Sequence, residues 1–185
     1  MKVALVVGHT AKAPGAVNGE YALSEFAFNL PLVEKLKARL GRTKNEAVLI
    51  LRDEPDDYKG LPAKINAAKP DFIVSFHANA GPEGSEGSEV LYFTGSKAGQ
   101  RLASVMLERI VRALGTKNRG IKPRTYSERG GYLLAKTEAP CVIVEPFFLS
   151  NNEETRRAVT SEGMAALLAA YEDGILRYVG ENCGC

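Results

Sequence analysis

Two histidines and one glutamate stand where apolar runs of the chain end. His9 follows the run VALVV and Gly8, His77 follows DFIVSF, and Glu145 closes CVIVE. Because ligands bind at the carboxyl ends of the strands in parallel sheets, we expect these three side chains to converge on one edge of a sheet. Two imidazoles and a carboxylate are a typical catalytic zinc set that leaves a position for water. The pattern favours a metal-dependent hydrolytic site, although a single histidine at a strand end is also typical of a hydrogen-bonded structural residue.

A third protein ligand has two candidates between the first strand and the body of the first helix, Glu20 and Glu25. Glu25 falls in the first turn of the predicted helix, where a rigid backbone can aim the carboxylate at the sheet edge. Glu20 fits a solvated loop residue better. The spacing therefore favours Glu25 and leaves Glu20 as the alternative.

The elements that must position these residues alternate between apolar runs and amphipathic stretches. This alternation predicts a single α/β domain with a mostly parallel central sheet of about six strands and helices on both faces. Ser24 is the expected N-cap of the first helix, and Pro31 should kink or break that helix. The predicted strands are 3–7, 47–51, 71–76, 89–93, 132–135 (YLLA) and 141–145, and the predicted helices are 24–40, 61–68, 96–114 and 161–178. Residues 116–131 show no periodic pattern, and we expect residues 1–180 to form the domain and residues 181–185 a flexible tail.

Composition excludes several classes of protein. Lys and Arg total 24 against 22 acidic residues, a net charge of +2, so no strong field of one sign favours nucleic acid or an acidic membrane. No apolar run approaches the roughly 20 residues that a membrane span needs, and the apolar start of the chain is too short for a signal peptide. Three cysteines, at positions 141, 183 and 185, imply no disulfide framework and favour a reduced compartment. We expect no nucleic-acid partner, no membrane insertion and no export signal.

Five blocks of sequence together resemble a known family. In order along the chain these are VVGHTAKAPGA, Glu25 with FAFNL, IVSFHANA, NRGIK and VIVEPFFLSN. Their order and approximate spacing, from about residue 2 to the final helix, resemble those of the zinc-dependent N-acetylmuramoyl-L-alanine amidases that cut bacterial peptidoglycan. The resemblance implies that residues 1–180 are a catalytic domain in which Zn²⁺ is bound by His9, Glu25 and His77. One departure is Thr10, where the family commonly has a second glycine after the histidine.

The same resemblance implies a reaction and a catalytic residue. The family hydrolyses the amide between the lactyl group of N-acetylmuramic acid and L-alanine of the stem peptide. By resemblance Glu145 is the catalytic carboxylate, a general base toward the zinc-activated water and then an acid toward the leaving nitrogen. Two other classes remain open, a zinc-dependent peptidase acting on the stem peptide and a non-catalytic module that binds wall fragments.

Other polar residues permit both a functional and a structural interpretation. Asn79, Arg119 and Lys122 are candidates for substrate binding, because an amide or an arginine could contact the stem peptide and its carboxylates. The alternatives are a turn-stabilising role for Asn79 and a loop-anchoring role for the basic pair. The residues predicted to lie on solvated faces are Ser85, Ser88 and Glu89 and the acidic pairs Asp56-Asp57 and Glu153-Glu154.

The resemblance also suggests a biological setting. Some family members carry a long inserted helix that plugs the site until a partner removes it, whereas here only Ala80 and GPEGSEGS separate Asn79 from the next strand. We therefore expect no activator protein. Without a signal peptide or a wall-binding module, the chain fits a phage endolysin, a bacteriolytic enzyme made in the host cytoplasm that degrades the cell wall after release.

Overall fold

A six-stranded sheet forms the centre of the protein. The computed structural model describes residues 1–52, 54 and 57–182. The strands of the chain are β1 (Lys2–Val7), β2 (Val17–Asn18), β3 (Leu23–Ser24), β4 (Glu46–Ile50), β5 (Phe72–Phe76), β6 (Ser88–Phe93), β7 (Asn118–Arg124) and β8 (Cys141–Glu145). The central sheet has the order β4-β1-β5-β8-β6-β7, and β2 and β3 form a separate small hairpin. The first four strands in that order are parallel, while β6 and β7 run opposite to them.

Helices cover both faces of this sheet, as the sequence predicts. They are α1 (Glu25–Leu40), α2 (Leu61–Ala67), α3 (Lys97–Leu114), α4 (Gly131–Lys136), α5 (Asn152–Ala158) and α6 (Ser161–Asn182). Alternate side chains of β1 enter two different core clusters, one with α1, α3 and α6 and the other with α2 and α4. This division follows from the period-two alternation of side chains along a strand. Within the described residues, no helix is long and apolar enough to cross a bilayer.

Helix α1 begins as expected and continues past its proline. The Ser24 hydroxyl accepts a hydrogen bond from the backbone N–H of Ala27, which confirms the N-cap. Pro31 lies inside α1 without ending it. The apolar stripe that contains Phe28 and Leu32 is almost fully buried, and this burial offsets the cost of a proline in the second turn of the helix.

Two expectations about the second half of the chain are corrected. The YLLA segment lies in helix α4 and is not a strand. The sequence does not reveal this, because a short apolar run is compatible with both a strand and a helical turn. The sixth strand of the sheet is instead β7, which lies in the segment 116–131 that was predicted to be irregular. This edge strand is half exposed and contains Pro123, so its sequence lacks the apolar run of a buried strand. Helix α5 was not predicted. Helix α6 extends through Asn182, so residues 181 and 182 are helical, and residues 183–185, with two of the three cysteines, lie outside the described residues.

Candidate metal centre and catalytic cavity

The carboxyl ends of β1, β5 and β8 meet at one edge of the sheet. These strands are adjacent and parallel, with β5 in the middle. His9 and His77 leave the ends of β1 and β5, and Glu145 is the last residue of β8. All three side chains line one cavity of about 250 Å³. The structure therefore brings these three predicted site residues together.

His9, Glu25 and His77 form a compact group of possible metal ligands. One donor atom from each lies within 4.8 Å of the others. His77 Nδ1 is 2.7 Å from Glu25 Oε1, and His9 Nε2 is 3.3 Å from Glu25 Oε2. Two imidazole nitrogens and one carboxylate oxygen are the donor set of many catalytic zinc sites. The three residues fit a metal ion of this kind.

Glu25 is fixed from several directions at the start of α1. It is 2% exposed and also accepts hydrogen bonds from the backbone N–H groups of Ala16 and Ala78. Burial alone would raise the pKa of Glu25, but hydrogen bonds from His77 and His9 outweigh it and hold the pKa well below its usual range. The carboxylate is therefore ionised, as a metal ligand must be.

Glu20, the alternative ligand, lies elsewhere. It is exposed and accepts a hydrogen bond from the side-chain amide of Asn152. The structure therefore places Glu25, and not Glu20, beside the two histidines.

Two glycines leave room for this group. A Cβ on Gly8 would lie 2.4 Å from Cε1 of the His77 ring, and a Cβ on Gly15 would lie 2.6 Å from Glu25 Oε2. Gly15 also has a φ of +81°, which favours glycine. His9 itself has a φ of 68°, in a turn where Thr10 Oγ1 accepts from the Ala13 N–H. The turn that carries His9 is thus strained, and its Thr10 supplies a stabilising hydrogen bond.

Glu145 has the properties of a proton carrier. Glu145 is 2% exposed, and its Oε1 accepts a hydrogen bond from Arg129 Nη2 at 3.0 Å. Oε2 is buried and has no hydrogen-bond partner among the described residues. Burial raises the pKa of Glu145 to about 8, against the lowering effect of the Arg129 guanidinium. A carboxyl group with a pKa near neutrality and one unoccupied oxygen is suited to general acid and base catalysis.

The cavity floor is one row of residues across the sheet. Val6, Ser75, Ile143 and Leu91 are successive partners in β1, β5, β8 and β6. The walls come from α2, α4 and the loops beside them, and include Leu61, Leu133, Tyr58, Arg52 and Arg129. The base of the cavity is therefore mostly apolar, with Ser75 as its polar member, and charged groups lie beside the candidate ligands.

The three predicted substrate-binding residues occupy different positions. Asn79 is 3% exposed and is hydrogen-bonded to Glu89 and Arg129. Arg119 forms an ion pair with Glu89. Neither Asn79 nor Arg119 lines the cavity. Lys122 lies on β7 in register with Leu91 of the cavity floor, so the two side chains share one face of the sheet. Like the other two, Lys122 is not among the residues that line the cavity.

Some of the residues predicted to be solvated are buried. Ser88, Glu89 and Glu154 are 0%, 7% and 5% exposed, so the expectation is wrong for these three, whereas Glu153 is exposed. Asp56 lies outside the described residues. Glu154 accepts hydrogen bonds from the backbone N–H groups of Gly87 and Phe148. Glu89 lies two residues before Leu91 in a predicted strand, and this period-two spacing was an available signal for its burial.

Arg129, the partner of Glu145, was not predicted. It lies in an irregular Gly-rich loop, where no local pattern marks a functional residue.

Comparison with known proteins agrees with this geometry. Residues 3–177 match the family described as N-acetylmuramoyl-L-alanine amidase. The chain belongs to this family. The catalytic domain of the amidase CwlV from Bacillus (Paenibacillus) polymyxa var. colistinus superposes with a TM-score of 0.85 at 29% identity, covering 97% of this chain and 99% of that one. The predicted fold class and family resemblance are both confirmed.

Two further relatives extend beyond the matched region. The N-acetylmuramoyl-L-alanine amidase LytC of Bacillus subtilis (strain 168) is 27% identical over 177 residues, which are 92% of this chain and 34% of LytC. The endolysin of Bacillus phage SPP1 is 32% identical over 159 residues, which are 81% of this chain and 55% of the endolysin. The chain thus spans about a third and about half of these two proteins.

Proposed function

We propose that this protein hydrolyses the amide bond between the lactyl group of N-acetylmuramic acid and L-alanine in peptidoglycan, with Zn²⁺ bound by His9, Glu25 and His77. The observation that carries the proposal is that His9 and His77 of the His9–Glu25–His77 group line the same cavity as Glu145. Family membership supports the substrate and the bond, and the family is generally zinc-dependent.

The side chains present divide the chemistry between binding and proton transfer. When bound, zinc supplies Lewis-acid chemistry that polarises a carbonyl and acidifies a water molecule. His9, Glu25 and His77 would hold the metal through an ionised carboxylate and two imidazoles. Glu145 accepts the proton of the attacking water at Oε2, the oxygen without a partner, and then donates it to the leaving nitrogen of L-alanine. Protonation is required because an amine anion is a poor leaving group.

The setting of the reaction is part of the proposal. The similarity of this protein to the phage endolysin supports action on the bacterial cell wall after synthesis in the host cytoplasm. The segment between Asn79 and β6 is a short loop of eight residues, 80–87, which supports activity without an activator protein. The near-zero net charge supports the expectation that nucleic acid is not a partner.

Mass spectrometry of digested peptidoglycan tests the proposal. The wild type should release intact stem peptides with a new free L-alanine amine, and a chelator should abolish this product until zinc is restored. Glu145→Gln should lower turnover by about 10²- to 10⁴-fold while keeping zinc, because it removes only the proton carrier. Glu138→Gln, at an exposed glutamate that does not line the cavity, is the matched control and should keep full activity.

Two results would contradict the proposal in different ways. Products shortened within the stem peptide would mean a zinc-dependent peptidase on the same site. Zinc binding without any product would mean a module that binds wall fragments without cutting them.

A further inference from the structure

Arg129 bridges Glu145 and Asn79. Its Nη2 donates to Glu145 Oε1 at 3.0 Å, and its Nη1 donates to Asn79 Oδ1 at 3.2 Å. The Arg129 side chain is 63% exposed, whereas the Glu145 side chain is 3% exposed. A guanidinium is a rigid planar fork, so two fixed acceptors determine both its position and its plane. Its two acceptors are buried residues, so an otherwise mobile surface side chain has one orientation at the cavity rim.

The direction of the Asn79 amide decides whether this bridge forms. Asn79 Nδ2 donates to Glu89 Oε1 at 2.9 Å. A carboxylate only accepts hydrogen bonds, so Glu89 turns the NH₂ group toward itself and leaves Oδ1 facing Arg129. The Asn79 backbone is held too, because its N–H donates to Phe147 and its carbonyl accepts from Leu149. Glu89 therefore orients Asn79 for its contact with Arg129.

Arg119 compensates the buried charge of Glu89. Arg119 Nε donates to Glu89 Oε2 at 2.8 Å, and its guanidinium lies over the Phe148 ring at 4.9 Å. Glu89 is also the direct cross-strand partner of Glu145, which places two carboxyl groups opposite each other in β6 and β8. Like charges in such a pair are destabilising, and a buried charge without its partner is costly. Arg119 thus keeps Glu89 as an acceptor beside the catalytic carboxyl.

We propose that Arg129 is a positioning residue for Glu145, and that Asn79 with the buried Glu89–Arg119 pair holds Arg129 in place. The inference rests on the proposed amidase function. Arg129 occupies Oε1 of Glu145 and so leaves Oε2 as the oxygen that carries the proton. Asn79 and Arg119 then act behind the catalytic carboxyl and do not touch the substrate.

The charged surroundings of Glu145 define what the removal of Arg129 should change. Among the described residues, the other titratable groups that interact with Glu145 include Glu25 of α1, Glu89 of β6, Arg124 of β7 and Tyr171 of α6. Arg129 is the cation in direct contact with the carboxyl, at 3.0 Å. Without it, the ionised form loses its hydrogen bond and its nearest positive charge.

The test compares pH–rate profiles of the zinc-loaded enzyme on soluble glycan–peptide fragments of peptidoglycan. Arg129→Ala should lower kcat about 10- to 100-fold at pH 7 and move the acid limb of kcat upward by about one pH unit or more. KM should change less than about threefold, and zinc content should stay the same. Arg129→Lys should restore part of the loss, and Arg119→Met should shift the limb in the same direction by less. Arg42→Ala, at an exposed arginine after α1, is the control and should match the wild type.

Each other outcome overturns the inference. A raised KM with an unmoved acid limb in Arg129→Ala would make Arg129 a substrate ligand. If thermal unfolding shows that the Arg119→Met protein is folded and its pH–rate profile matches the wild type, the Glu89–Arg119 pair does not help to hold Arg129 in place. Failure of the proposed function is separate, because the wild type itself would then release no L-alanine amine.

Discussion

Substitution of Gly8 by alanine should damage the metal centre without unfolding the protein. The new Cβ would lie 2.4, 2.6 and 2.6 Å from three atoms of the His77 ring. Ordinary contacts between heavy atoms are about 3.5–4.0 Å, so the imidazole must move by about 1 Å. Gly8 does not have a positive φ, so alanine introduces no backbone strain of its own. The three atoms nearest to the new Cβ all belong to His77, so the clash acts first on that ring.

A displacement of this size exceeds what a metal site tolerates. Ligand distances in such sites hold to within about 0.2 Å, and a 1 Å error in a catalytic group costs about 100-fold in rate. We expect zinc affinity to fall at least 10- to 100-fold, the loss typical of disturbing a ligand's orientation. The metal-free protein should lose only about 1–3 kcal/mol, the usual cost of overpacking, because the ring can move toward the cavity.

Zinc competition against a chromogenic chelator measures the affinity, and thermal unfolding of the metal-free protein measures the stability. Gly19→Ala is the matched control, because a Cβ there meets nothing within 4 Å. The reasoning would be refuted if Gly8→Ala bound zinc within threefold of the wild type. It would also be refuted if the metal-free variant were unfolded, since the damage would then extend beyond His77.

Three further predictions concern buried groups. Burial raises the pKa of Glu145 from 4.5 to about 8, so the folded protein binds this proton more tightly than the unfolded chain does. The stability that results is fully present below pH 4.5 and is lost as the pH rises through 8. In thermal unfolding with chelator, Glu145→Gln should therefore raise Tm by at least about 3 °C at pH 8.5 and by much less at pH 4.5; equal shifts would contradict this. Glu154→Ala leaves two backbone N–H groups unpaired and should cost at least about 2 kcal/mol in urea denaturation. The exposed Glu153→Ala should cost much less, and similar losses would show that burial is not the cause. Burial also raises the pKa of the Cys141 thiol to about 12, so in a variant whose other cysteines are serine, iodoacetamide at pH 8 should label it only in denaturant.

The residues that carry the proposed chemistry could be predicted because local signals specify them. His9, His77 and Glu145 each follow an apolar run, and the parallel arrangement of those runs is enough to bring them together. Glu25 was favoured because Ser24 marks the start of a helix. These inferences need only strand ends and one helix cap, which short segments of sequence encode.

The supporting network could not be predicted in this way. Asn79, Glu89, Arg119 and Arg129 lie on four different elements or loops, and their roles depend on contacts between residues 10 to 50 positions apart. The fold shows the same division. Strand β7 is recognised by its pairing with β6, while its own side chains are half exposed and carry no buried-strand pattern. Both the supporting network and strand β7 are therefore determined by contacts between residues that are far apart in the sequence.

The reversal of strand direction after β5 has a consequence for how this architecture can change. Because β6 runs opposite to β5, the chain leaves β5 and enters β6 at the same edge of the sheet, beside the cavity. Residues 80–87 are the only chain between Asn79 and that re-entry. Additional residues inserted there would extend over the cavity while strand order, register and ligands stayed in place. Access to the site and the chemistry within it can thus diversify independently, and this loop is the natural point for grafting a cover or a specificity element onto the domain.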